Sequence, residues 1–178
     1  MTASATDLVH DLLAAWDARD FGRFVDLLSP DVEWYDLGMA HPPARGREEV
    51  LAFSTSVIEA FPDFRFEVIP PICVAPDGSR CAVHWSISGT HTGVLSPPGF
   101  GPTNRHARFT GVDLLDIADG RVTRILTLFD PLAAGEQLLG IRLRPPEGSF
   151  RELLLVSVQR ITAMVVRNVV RARRSHEA

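Results

Sequence analysis

The sequence contains no lysine, so all 18 of its basic side chains are arginine. A functional need for arginine would not strip lysine from every surface position, so the absence reads as compositional bias. Cysteine is nearly absent too. Cys73 and Cys81 form no CxxC pair and have no His/Cys ligand spacing near them, which argues against a zinc site. They flank a predicted turn at Asp77-Gly78 and are expected to be small buried hydrophobes in a reducing compartment. The chain also lacks GxGxxG, a phosphate loop, a Ser or Cys nucleophile motif and any His/Asp/Glu cluster at metal-ligand spacing, so no cofactor is expected. Met1 to Leu13 has two Asp and no apolar run, so a secretory leader is not expected and a cytoplasmic location is. The formal net charge of -4 lacks the basic character of a nucleic-acid binder, and no nucleic-acid partner is expected.

What is present is apolar: 46% of the 178 residues are hydrophobic, enough for the core of one domain. Charge is unevenly spread. Residues 1–140 are acidic in balance, whereas 141–178 carry eight Arg against three Glu. We therefore expect a domain over 1–140 and a basic helical extension over 141–178. Leu8, Leu12, Leu13 and Trp16 after Thr6-Asp7, then Phe21, Phe24, Val25 and Leu28 before Ser29-Pro30, have helical spacing. Val32 to Asp36 reads as a strand, and Arg47 to Ala60 as a third helix ended by Phe61-Pro62-Asp63. From Phe64 the period becomes two, predicting strands over 64–74, 80–90, 105–117 and 121–129, with Asp77-Gly78 and Asp119-Gly120 at hairpin tips. Ser96 to Pro102, with three Pro and two Gly, must be a loop of the kind that often rims a pocket. Helices followed by a curved antiparallel sheet give an α+β class. Phe150 to Arg174 reads as one long helix.

Several of these segments resemble a known family. Gly46-Arg47-Glu48-Glu49, Ala60 to Phe66, Gly89-Thr90-His91-Thr92-Gly93, Phe109-Thr110-Gly111-Val112-Asp113, Asp119 to Val122, and Leu128-Phe129-Asp130-Pro131 with Gln137-Leu138 and Gly140 resemble the SnoaL-like polyketide cyclases of the nuclear transport factor 2-like superfamily. The resemblance spans roughly residues 6–140. It implies a cone: a bent antiparallel sheet wrapped around helices, with an open apolar mouth. Fold alone leaves the substrate open, since the superfamily hosts many chemistries.

Asp130 ends a strand whose same-side neighbours, by alternation, would be Leu128, Leu126 and Arg124. A carboxyl among leucines gains pKa by desolvation and is then matched to removing a proton beside a carbonyl. The resemblance implies that general acid/base role for Asp130. The plainer reading is a helix cap formed by Asp130-Pro131. In catalytic relatives a His or Trp often precedes the aspartate, and here Ile125-Leu126-Thr127-Leu128 stands instead. His91, sharing a strand side with Trp85, Ile87 and Gly89, either donates to an oxyanion or organises the 96–102 loop. Asp113, beside Phe109, Gly111 and Leu115, is a possible second polar group in the cone, because a mid-strand carboxylate needs water or a partner. Trp34 and Asp36 are expected to line the mouth, with Tyr35 as a phenolic donor if it turns inward.

The leading expectation is a cofactor-independent cyclase or isomerase acting on a small apolar carbonyl compound. An epoxide or lactone hydrolase, which Arg124 keeps open, and a non-catalytic binding module are the alternatives. A homodimer through the outer face of the sheet is expected, as such faces tend to be covered. In the extension, Leu154, Val158, Ile161, Val165 and Val169 repeat at helical spacing with arginines between them. That pattern suits packing on the domain, exchange across a dimer, or contact of residues 150–174 with an anionic membrane.

Overall fold

Ser4 starts the first helix with a reciprocal cap: its hydroxyl accepts from the Asp7 N–H, and the Asp7 carboxylate accepts from the Ser4 N–H. The helix, α1 (Ala5–Asp17), buries Leu8, Val9, Leu12, Ala15 and Trp16 on one face. Arg19, in the left-handed region at φ 59°, reverses the chain into α2 (Phe21–Asp26), which Asp20 caps. The computed structural model describes residues 4–36, 42–96, 99–142 and 144–176, and side chains to residue 167. It divides into two compact units, Met1–Ile141 and Arg142–Ala178.

The first unit continues with β1 (Leu28–Asp36), β2 (Ala44–Arg45), α3 (Gly46–Ala60), β3 (Arg65–Val68), β4 (Cys73–Val74), β5 (Arg80–Thr90), β6 (His106–Ala118), β7 (Arg121–Phe129) and α4 (Pro131–Leu139). The strands form one curved, unclosed sheet in the order β2-β1-β7-β6-β5-β3, with β4 also on β5. This is the α+β arrangement expected, with three differences. First, β1 pairs parallel with β7, because nearly the whole unit intervenes between them and no hairpin constrains their direction. It also begins at Leu28, earlier than Val32. Second, the strand expected over 64–74 breaks into β3 and β4, since Pro70 and Pro71 offer no N–H to the ladder. Third, Cys81 is buried but Cys73 is exposed.

The turns behave as their residues dictate. Asp119 and Gly120 both take positive φ, 50° and 69°, as the tight β6–β7 hairpin requires. Helices α1, α2 and α3 cover the concave face, where Trp16 contacts Phe24, Trp34 and Phe64 edge-on at ring-centroid distances of 5.3, 5.7 and 6.1 Å. The core beneath joins Leu8, Val9 and Leu12 to Val32, Val50, Val83, Leu115, Val122 and Ile125.

The second unit holds α5 (Phe150–His176), in place of the expected helix 150–174. No helix among the described residues is long and apolar enough to cross a membrane.

Candidate active site

Strand register places three polar side chains in one row across the concave face. Asp36 on β1 pairs with Thr127 on β7, which pairs with Asp113 on β6. All three line a cavity of about 220 Å³ between the sheet and the helices. Apart from Ser88 its walls are otherwise apolar, built from Trp16 and Phe53 on the helices, Phe64 between α3 and β3, and Trp85, Phe109 and Phe129 on the sheet. Leu95, just before the predicted loop, and Phe100, within it, also contribute, as does Leu138 of α4.

Hydrogen bonds link Trp34, Thr127 and Asp113. The Trp34 indole N–H donates to Thr127 Oγ1 at 2.9 Å, and the Thr127 hydroxyl donates to Asp113 Oδ1 at 2.8 Å. Burial pushes the Asp113 carboxyl up to about 6. The Thr127 and Trp85 donors pull the other way, and the Asp36 charge adds to the rise. Asp113 lines the cavity half-buried, and its carboxyl is strongly desolvated there. The Trp85 N–H is close enough to favour the ionised carboxyl, although it makes no hydrogen bond of normal geometry. Trp16 likewise buries an N–H without a partner.

Of the residues singled out in the sequence, Trp34, Asp36, Trp85 and Asp113 meet in this cavity. The others do not. From β7 the wall takes Ile125, Thr127 and Phe129, so Leu126, Leu128 and Arg124 belong to the opposite face, a correction to the alternation counted back from Asp130. Tyr35 also turns outward: its hydroxyl donates to Glu33, and Arg124 stacks over its ring at 4.9 Å. Asp130 is exposed, is not among the lining residues, and caps α4 by accepting from the Leu132 and Ala133 N–H groups at 3.0 and 3.1 Å. Of its two readings, the cap is the one this geometry displays.

His91 is buried behind the wall rather than in it. It stacks on Phe61 at 5.1 Å and its Nδ1 lies 3.3 Å from Thr103 Oγ1. Burial holds its pKa below the ordinary imidazole value, an effect the nearby Phe100 backbone opposes. Its backbone N–H donates to the Arg105 carbonyl, and its carbonyl accepts from Asn104, so it organises the chain after the loop. No group of three or more His, Cys, Asp or Glu able to hold a metal ion occurs among the described residues.

Sequence reasoning missed Thr127 and Gly111. Thr127 was hidden in an apolar run, and only its register opposite Asp113 marks it. Gly111 faces Trp85 across the β5–β6 ladder, and a side chain there would collide with the indole ring.

Residues 9–125, which carry most of this sheet and of the cavity wall, match a family model described as a SnoaL-like domain. The chain belongs to that family. Solved structures similar to this SnoaL-like chain include a candidate polyketide cyclase from Pseudomonas putida, 22% identical, with a TM-score of 0.66, covering 76% of this chain and 98% of that one. IdmH, a candidate polyketide cyclase from Streptomyces antibioticus, is 26% identical with a TM-score of 0.63, covering 78% and 100%. AclR, a candidate hydroxylase from Streptomyces galilaeus, is 20% identical with a TM-score of 0.64, covering 94% and 98%. No curated protein matches this SnoaL-like chain.

Proposed function

We propose that the protein is a cofactor-independent cyclase or isomerase of small apolar carbonyl compounds, with Asp113 as the acid/base group. One observation carries the reading: a single desolvated carboxyl, raised to about 6, stands in an aromatic cavity beside the Trp85 indole. At neutral pH such a carboxyl is largely ionised yet basic enough to accept a proton from the carbon next to a carbonyl. The electron pair left behind moves to the carbonyl oxygen as an enolate. The enolate carbon then attacks an internal carbonyl, closing a ring, or takes the proton back at a new position, moving a double bond. The Trp85 N–H, which lies near Asp113 and makes no hydrogen bond of normal geometry, is the donor at hand for the developing oxygen charge. Asp36 supplies a second carboxyl at the same row. Family membership and the names of the similar polyketide cyclases support this class of chemistry.

The cavity wall offers no arginine among the described residues, because Arg124 lies on the other face. That favours proton transfer over the arginine-assisted hydrolase reading. The test is deuterium exchange at the carbon beside the carbonyl of bicyclic aromatic ketones in D2O, followed by proton NMR. Wild type should accelerate exchange or cyclisation without added metal or nucleotide, and Asp113→Asn should abolish the acceleration. Equal rates in a folded Asp113→Asn variant would sink the assignment.

A further inference from the structure

Thr127 has no ionisable atom, yet it touches both halves of the site. An indole N–H can only donate, so Thr127 Oγ1 must act as acceptor toward Trp34. The hydroxyl retains one proton, and that proton is directed to Asp113 Oδ1. Oδ1 is therefore the acceptor while the Thr127 proton is directed there, and a proton that Asp113 takes up in that arrangement goes to the other oxygen, Oδ2.

Resting on the reading of Asp113 as the acid/base group, we propose that Thr127, locked by Trp34, is a positioning residue that confines proton exchange at Asp113 to Oδ2. The lock is rigid because the Trp34 ring is wedged among aromatic neighbours, 5.7 Å from Trp16 and 5.0 Å from Phe53, both edge-on. A carboxyl free to rotate would present either oxygen, and half its orientations would waste the proton. One held by a fixed donor delivers the proton in one direction, which is what a reaction with two separate proton transfers needs.

The electrostatic surroundings are simple. Asp36 on β1 is the one other ionisable side chain among the described lining residues. Across from Asp113, β5 presents Val83 and Trp85, and β7 presents Thr127. The lining residues of α1 to α4 are apolar. Arg124 and Asp116 pair with each other on the opposite face. The Thr127 bond favours the ionised carboxyl, so its loss must raise the titration midpoint.

The experiment is a carboxyl carbon-13 NMR titration of the full-length protein labelled at aspartate, with the Asp113 signal assigned from its absence in Asp113→Asn. Thr127→Val should move the midpoint upward by about one pH unit, the usual size for losing a hydrogen bond to a charged group. Thr127→Ser should restore it. Trp34→Phe, which leaves the hydroxyl but removes its lock, should shift the midpoint the same way by less. An unchanged midpoint in Thr127→Val, or in Trp34→Phe if the valine variant does not fold, overturns the proposal, as does failure of serine to restore it. The titration needs no turnover. Absence of ketone exchange would refute the proposed activity while leaving this result standing, and an unmoved midpoint would refute the positioning role while leaving the activity standing.

Discussion

The Trp85 indole occupies the space that a side chain at Gly111, its partner across the β5–β6 ladder, would need. A Cβ at Gly111 would fall under 3.0 Å from Trp85 Cη2 and Cζ2 and from the Leu128 carbonyl oxygen. The backbone oxygen cannot yield, so the ring would have to. Gly111→Ala is expected to cost about 1–3 kcal/mol, the range for overpacking a core, and to shift tryptophan emission as Trp85 leaves its place. Unchanged thermal unfolding and emission would show that the sheet absorbs the methyl group.

Asp113 makes stability depend on pH in a predictable direction. Its carboxyl titrates near the ordinary 3.8 when unfolded and about 6 when folded, so the folded state holds the proton more tightly. The ionised form is therefore the costly one: the penalty is absent below 3.8, grows as pH rises through this window, and is complete above 6. Asp113→Asn removes this titration. Its stability relative to wild type should climb by roughly 3 kcal/mol between acid and alkaline conditions, by the conversion of a pKa difference to free energy. Chemical denaturation of both proteins at pH 4 and pH 8 measures the change, and a pH-independent difference would contradict the burial argument.

Asp130 separates two roles cleanly. As a cap, it should tolerate Asn, which caps as well as Asp, whereas Asp130→Ala should cost about 1 kcal/mol. Ketone exchange should survive in both variants. Loss of exchange in a fully folded Asp130→Asn protein would return the catalytic role to this residue.

The extension carries a separate question. Helix α5 cannot bury Leu154, Val158 and Ile161 against itself, and soluble proteins seldom leave such a stretch uncovered. Deleting 146–178 is expected to lower thermal stability or cause aggregation. Full stability combined with lost binding to anionic vesicles would instead favour a membrane role. Sedimentation of both forms also tests the homodimer expected from the sequence.

Local order was legible wherever one signal dominated. The bounds of β5 and β7 follow from alternation and from the Asp-Gly and Pro punctuation around them, because these act within a few residues. Trp34 and Asp36 were expected at the mouth and Asp113 as a polar group in the cone, and all three line the cavity together with Trp85. β7 defeated that reasoning. Ile125-Leu126-Thr127-Leu128-Phe129 is apolar on both faces, so period two cannot say which face is inside, and counting back from Asp130 chose the wrong one.

What the tertiary structure decided is everything that depends on register between distant strands. Asp36, Thr127 and Asp113 become a row only when β1 lies parallel to β7 and β7 antiparallel to β6. The raised Asp113 carboxyl, the Trp34–Thr127 lock and the room for Trp85 over Gly111 all follow from that pairing. The sequence determined a SnoaL-like frame and its stock of polar residues, since both are written in local patterns. Which carboxyl is desolvated was settled by long-range packing, because burial belongs to the assembled sheet and helices and to no single segment.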